Sequence, residues 1–125
     1  MLPQQLADEV RQLREHGHSV ELVEADGWAN VVFHGYLLPP GYNKPSTELL
    51  VKVPLSYPNG SPDMFWTDHD LALANGSVPR NADAMETALG RQWRRFSWHP
   101  HQWNPGNSNF FTYVEFVNTR LAKAV

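Results

Sequence analysis

A serine and two histidines stand at alternate positions in the run Ser97-Trp98-His99-Pro100-His101. A serine hydroxyl is a weak nucleophile at neutral pH and needs a positioned base to transfer an acyl group; an imidazole, with its pKa of about 6.5, suits that role. Side chains two apart in an extended chain share a face, so Ser97 and His99 can approach without long-range folding. Pro100 stiffens the next step and aims His101 elsewhere. The plainer reading makes Ser97 a loop hydroxyl capping a turn, and His99 and His101 half-buried imidazoles among aromatics. A further arrangement adds His69 with Asp68 or Asp70 to the two histidines, enough N and O ligands for zinc. His-x-His alone is a weak motif, however, and no metal or other cofactor is expected.

Immediately upstream, Arg91, Arg94 and Arg95 interleave with Trp93 and Phe96. Arginine and aromatic residues are frequent energetic anchors of protein interfaces, which assigns Arg94, Arg95 and Trp98 to partner contact. The alternative is a solvated face whose aromatics belong to the core. Three arginines in a chain of net charge −3 make no nucleic-acid surface.

These residues need a scaffold. Leu2, Leu6, Val10 and Leu13 form one apolar stripe, which predicts an amphipathic first helix ending at His16-Gly17. His16 and His18 flank that glycine, where an imidazolium complements the helix dipole. Three extended segments follow, Ser19 to Glu24, Trp28 to Leu38 and Thr47 to Val53, with Asp26-Gly27 as a hairpin signal between the first two. Prolines break the second run at Pro39-Pro40 and the third at Tyr57-Pro58-Asn59-Gly60-Ser61-Pro62, and a short fourth strand fits Met64 to Thr67. From Asp68 to Arg91 the pattern weakens: Asn75-Gly76 and Pro79 mark turns, and Ala82 to Leu89 suits a short helix. Phe110, Val114, Val117 and Leu121 predict a last helix behind an Asn107-Ser108 start signal.

The 125 residues contain no cysteine, which excludes disulfides, thiolate zinc sites and cysteine nucleophiles within them. Length and an apolar share of 42% fit one domain over 1–125 that closes its core without staples. The first residues lack the basic and apolar runs of a signal peptide, and no stretch approaches the roughly 18 apolar residues of a membrane span. A cytoplasmic protein with no membrane partner is expected. Helix, antiparallel meander, irregular segment and helix together read as an α+β domain.

That succession, with the Tyr57-Pro58 turn carrying Pro62, and Trp103-Asn104-Pro105 leading into the last helix, resembles the ubiquitin-conjugating (UBC) superfamily. It looks closest to its divergent bacterial branch, prokaryotic UBC-like family E. The resemblance implies a four-stranded meander, an irregular active segment before Trp103, and two protein partners: a ubiquitin-like protein and its activating enzyme, with a protein target beyond them. The family's pattern is Tyr-Pro-x-x-Pro-Pro, and Ser61 replaces its first proline. Asp68-His69-Asp70 stands after Thr67 where His-Pro-Asn is usual. The family thiol is missing, and Ser97 is the nearest hydroxyl to its place.

The resemblance therefore implies acyl transfer through an oxyester on Ser97, with His99 as base or orienting group, His101 beside them, and Trp103, Asn104, Pro105, Tyr57 and Pro58 as support. Gln102 and Asn104 carry amides suited to an oxyanion, or to a turn. A relative that keeps the fold only to bind a ubiquitin-like protein or its activating enzyme is the alternative, and a histidine-based metal enzyme a third.

Overall fold

The computed structural model describes residues 1–100 and 102–125, so His101 lies outside the described residues. The apolar stripe at the N-terminus becomes α1 (Gln4–Glu15), with Leu6, Val10 and Leu13 buried together with Glu9. The helix stops as glycine dictates: Gly17 takes φ 97°, and the N–H groups of Gly17 and His18 donate to the carbonyls of Arg14 and Leu13. His16 Nδ1 lies 2.7 Å from the Gln12 carbonyl oxygen, tying the imidazole to the helix end.

The extended segments form β1 (Val20–Ala25), β2 (Trp28–Leu37), β3 (Ser46–Pro54) and β4 (Phe65–Asp68), all antiparallel. Asp26 and Gly27 have φ of 55° and 82°, the two left-handed residues that a type I′ hairpin requires between Ala25 and Trp28. A bulge at His34-Gly35 interrupts the β2–β3 register. His34 is held there between two carboxylates, Nδ1 2.6 Å from Glu48 and Nε2 3.2 Å from Glu21, while Gly35 N–H donates to Glu48 at 2.9 Å.

The sheet does not stop at four strands. The helix expected over Ala82 to Leu89 is instead β5 (Ala84–Ala88), which turns through Leu89-Gly90 into β6 (Arg91–Phe96). Both turn residues have positive φ, 51° and 77°, again matching a two-residue hairpin. The residues Ala84-Met85-Glu86-Thr87-Ala88 are mostly good helix formers, and tertiary pairing overrides that preference. Arg95 Nη1 meets Glu86 at 2.6 Å, and Trp66 Nε1 donates to the same carboxylate at 2.8 Å, so Glu86 is fixed by partners that only the strand can present. β6 pairs with β4, giving the order β1-β2-β3-β4-β6-β5 with β5 at the edge.

One sheet face carries the two helices. Phe33, Leu49, Val51, Val53, Phe65 and Phe96 meet Leu6 and Val10 of α1 and the stripe Phe110, Tyr113, Val117 and Leu121 of α2 (Phe110–Lys123) in one buried cluster. The opposite face buries Val32, Leu50, Trp66 and Trp93 without a helix. Cationic side chains cover it, Lys52 at 4.6 Å from the Trp66 ring and Arg91 at 4.1 Å from the Trp93 ring. α2 begins two residues beyond the expected signal: Asn109 caps it, accepting from Thr112 N at 2.9 Å while Thr112 Oγ1 accepts from Asn109 N at 2.9 Å. Among the described residues no helix is long and apolar enough to cross a membrane.

Two measurements follow from this packing. The buried Tyr57 hydroxyl donates to the buried Glu9 carboxylate, so Tyr57→Phe strips a donor from a buried acceptor. A loss of about 1–3 kcal/mol in urea unfolding is expected, and a change near zero would show that Glu9 is otherwise satisfied. The hydrogen bond to Glu48, reinforced by Glu21 and opposed by partial burial, raises the His34 pKa. His34 therefore stabilises the fold below its unfolded pKa of about 6.5, and that contribution is lost as pH rises through the higher folded value. Thermal melts across this range should show the wild type converging on His34→Gln as pH increases; a gap independent of pH counts against it.

Candidate functional site

The residues between β6 and α2 form a strap, Ser97 to Asn109, whose described residues have no regular secondary structure beyond a turn at Pro105–Asn107. Its backbone leaves β6 through Ser97, whose N–H donates to the Asn81 carbonyl at 2.8 Å. Ser97 is half-buried, and its Oγ accepts from Arg95 Nε at 3.0 Å. That guanidinium also holds Glu86, so the serine hydroxyl sits at the end of a Glu86–Arg95–Ser97 chain. His99 is exposed and turns to Asp63 instead, with Nδ1 2.5 Å from Oδ1. Among the described residues no hydrogen bond joins Ser97 to His99. His101, the third member of the expected group, lies outside the described residues.

Two aromatic residues fasten the strap. Trp103 Nε1 donates to the Pro58 carbonyl at 2.7 Å, and its ring lies 5.9 Å from that of Tyr57. This joins the Trp-x-Pro element to the Tyr-Pro turn, whose Tyr57–Pro58 peptide bond is cis. Burial, then the hydrogen bond and charge of Glu9, push the Tyr57 phenol far above its ordinary pKa, so it acts as a neutral donor. Trp98 is half-buried, with the Arg120 guanidinium 4.1 Å from its ring. The Tyr113 hydroxyl of α2 donates to the Met64 carbonyl, fixing the helix against the segment that carries Asp63.

Asn104 serves the turn: its Oδ1 accepts from Gly106 N at 2.9 Å, and its N–H donates to Ser108 Oγ at 3.1 Å. Pro105 and Gln102 are exposed. Arg94 points away from Arg95 into the protein, 9% exposed, with Nη1 donating to the Ala82 carbonyl at 2.6 Å and, among the described residues, no partner for Nε. Its neighbour Arg95 remains half-buried beside Ser97.

The acidic loop after β4 is occupied by cations of the chain itself. Lys44 meets Asp68 at 2.8 Å and Asp70 at 2.9 Å, and Arg91 meets Asp68 at 2.9 Å. Burial pushes the Asp68 carboxyl up, but the hydrogen bonds from Lys44 and Arg91 outweigh it and leave its pKa below the ordinary value. No group of three or more His, Asp and Glu side chains is arranged to hold a metal ion among the described residues.

Asp63, Asn81 and Arg120 are the site residues that sequence reasoning missed. Each meets the strap from a distant part of the chain, and none carries a local motif.

No curated protein and no solved structure matches the chain. One family model does, that of prokaryotic E2 family E, and it spans residues 5–124. The helix, antiparallel sheet, strap and closing helix are the whole of that matched stretch, and the chain belongs to prokaryotic E2 family E, a bacterial UBC-like family.

Proposed function

We propose that this chain is a UBC-like module of a bacterial ubiquitin-like modification pathway, binding the C-terminal tail of a ubiquitin-like protein, or its activating enzyme, without a covalent bond. The observation that carries the reading is the setting of the hydroxyl nearest the family's thiol. Ser97 Oγ accepts from Arg95, and among the described residues no base accepts its proton, while His99 is engaged by Asp63. A hydroxyl so placed is a poor nucleophile, and the chain has no cysteine to replace it. What remains is a fold whose half-buried Trp98 on the strap and half-buried Arg95 at the end of β6 suit protein contact. Such a pathway runs on ATP and an activating enzyme, so the cytoplasm is the expected compartment.

A second reading, acyl transfer through Ser97 with His99 and His101 assisting, draws on one observation. Arg95 Nε stands 3.0 Å from Oγ, where its charge would favour a developing alkoxide. Intact mass separates the two after incubation with a matching activating enzyme, ATP and the ubiquitin-like protein, with complex formation measured in parallel. The binding reading expects a complex, an unchanged mass, and Ser97→Ala affinity within about twofold of wild type. An adduct that mild base removes and Ser97→Ala abolishes would transfer the conclusion to the oxyester. Absence of both complex and adduct would reject both readings.

A further inference from the structure

A pocket of about 500 Å³ opens where the end of α1 and the bulge of β2 meet α2. It lies on the flank of α2 away from the strap. Phe116 and Arg120 turn to the strap side, whereas Val114 and Asn118, which line the pocket, fall across the buried stripe from them on a 3.6-residue repeat. Phe33, Tyr36 and Val114 make its apolar lining, the first two almost wholly buried. Phe33 is held by core rings, stacked on Phe110 at 6.3 Å and edge to face with Tyr36 at 5.5 Å. A site of this size and lining suits a small molecule, for which pockets of roughly 300–1,000 Å³ are usual.

The polar groups on the pocket can be sorted by what they have left to give. His16 Nδ1 lies 2.7 Å from the Gln12 carbonyl, which can only accept, so Nδ1 carries the proton and Nε2 of the neutral ring is an acceptor. Tyr36 donates its hydroxyl to Asn118 Oδ1, which leaves the Asn118 amide N–H groups as donors. Burial pushes the Tyr36 phenol up to about 12, although the Asn118 hydrogen bond opposes it, so the phenol keeps that proton. His18 stands at right angles to Phe33, 5.9 Å away, with no hydrogen-bond partner among the described residues. Among those residues no Asp, Glu, Lys or Arg lines the pocket, and the His34 imidazole is already engaged by Glu48 and Glu21. A ligand therefore meets one free acceptor, one free donor and aromatic surface, with no uncommitted charge to hold an ion.

We infer that this pocket binds a neutral, planar heterocycle with an N–H beside a carbonyl, the edge of a lactam or nucleobase, its N–H donating to His16 Nε2 and its carbonyl accepting from Asn118 Nδ2. The aromatic lining takes the ring face, for which stacking and burial favour a flat ligand over a branched one. Charged molecules of the same size are disfavoured, because each would leave water without gaining a counter-ion. The site shares no residue with the strap and stands independently of the reading proposed above.

The test uses the full chain and a neutral bicyclic lactam, quinazolin-4(3H)-one, titrated against amide chemical shifts. The lactam should bind below about 1 mM, moving the amides of residues 16–19 and 33–37. Its 3-methyl analogue, which keeps the carbonyl and loses the N–H, should bind at least about fivefold more weakly, and benzoate and benzylammonium should not bind at about 5 mM. Asn118→Asp preserves an oxygen for Tyr36 and removes only the donor, so it should weaken the lactam at least about fivefold, and His16→Phe should do the same by removing the acceptor. Melting temperatures establish that both variants fold. No lactam binding up to about 5 mM, equal binding of benzoate or benzylammonium, or shifts confined to other parts of the chain overturns the inference. So does lactam affinity that is indifferent to N-methylation, to Asn118→Asp or to His16→Phe.

Discussion

The described residues of the strap join no ladder, so its course depends on the bond from Trp103 Nε1 to the Pro58 carbonyl. That bond ties a segment without regular structure to a turn that is itself anchored, since Tyr57 reaches through the core to Glu9 of α1. Asp63, on the same stretch as the turn, receives His99, and Met64 receives the Tyr113 hydroxyl from α2. Three elements far apart in sequence, α1, the strap and α2, therefore converge on residues 57–64. An indole suits this position because it fills apolar space with its body while directing one donor at a chosen acceptor. The candidate site inherits its shape from that convergence.

The chemistry open to such a site is bounded by what the chain does with its charges. Asp68 and Asp70 are neutralised by Lys44 and Arg91, Glu86 by Arg95, and Glu48 and Glu21 by His34. These pairs have structural duties: they cover apolar rings, close a bulge or hold a hairpin in register. Arg95 shows how a structural ion also defines function, because the guanidinium that fixes Glu86 also occupies the lone pair of Ser97.

Much of the scaffold was legible because its signals are local. The apolar stripe of α1, the Asp26-Gly27 hairpin and the first four strands lie where spacing and turn chemistry put them, and the Trp103-Asn104-Pro105 element leads into α2 as the family resemblance implied. The hairpin over 84–96 was hidden because Ala84, Met85, Glu86 and Ala88 are helix formers with no β-branched run. What makes them a strand is pairing with β6 and the contacts of Glu86 across the sheet. The site was legible in part for the same reason. Trp103 and Tyr57 sit in recognisable motifs, whereas Asp63, Asn81 and Arg120 act through partners 36, 16 and 22 positions away in sequence, a separation no window of neighbours reveals.

The outermost strand has a consequence for solubility. β5 closes the sheet on one side with five residues, and among the described residues its far rim is unpaired. An open rim is a template for a second chain, and short length and an inward-turned charge are among the devices by which sheets resist such pairing. Among the described residues the device is length: with only five residues, β5 offers an incoming chain few backbone groups to pair with.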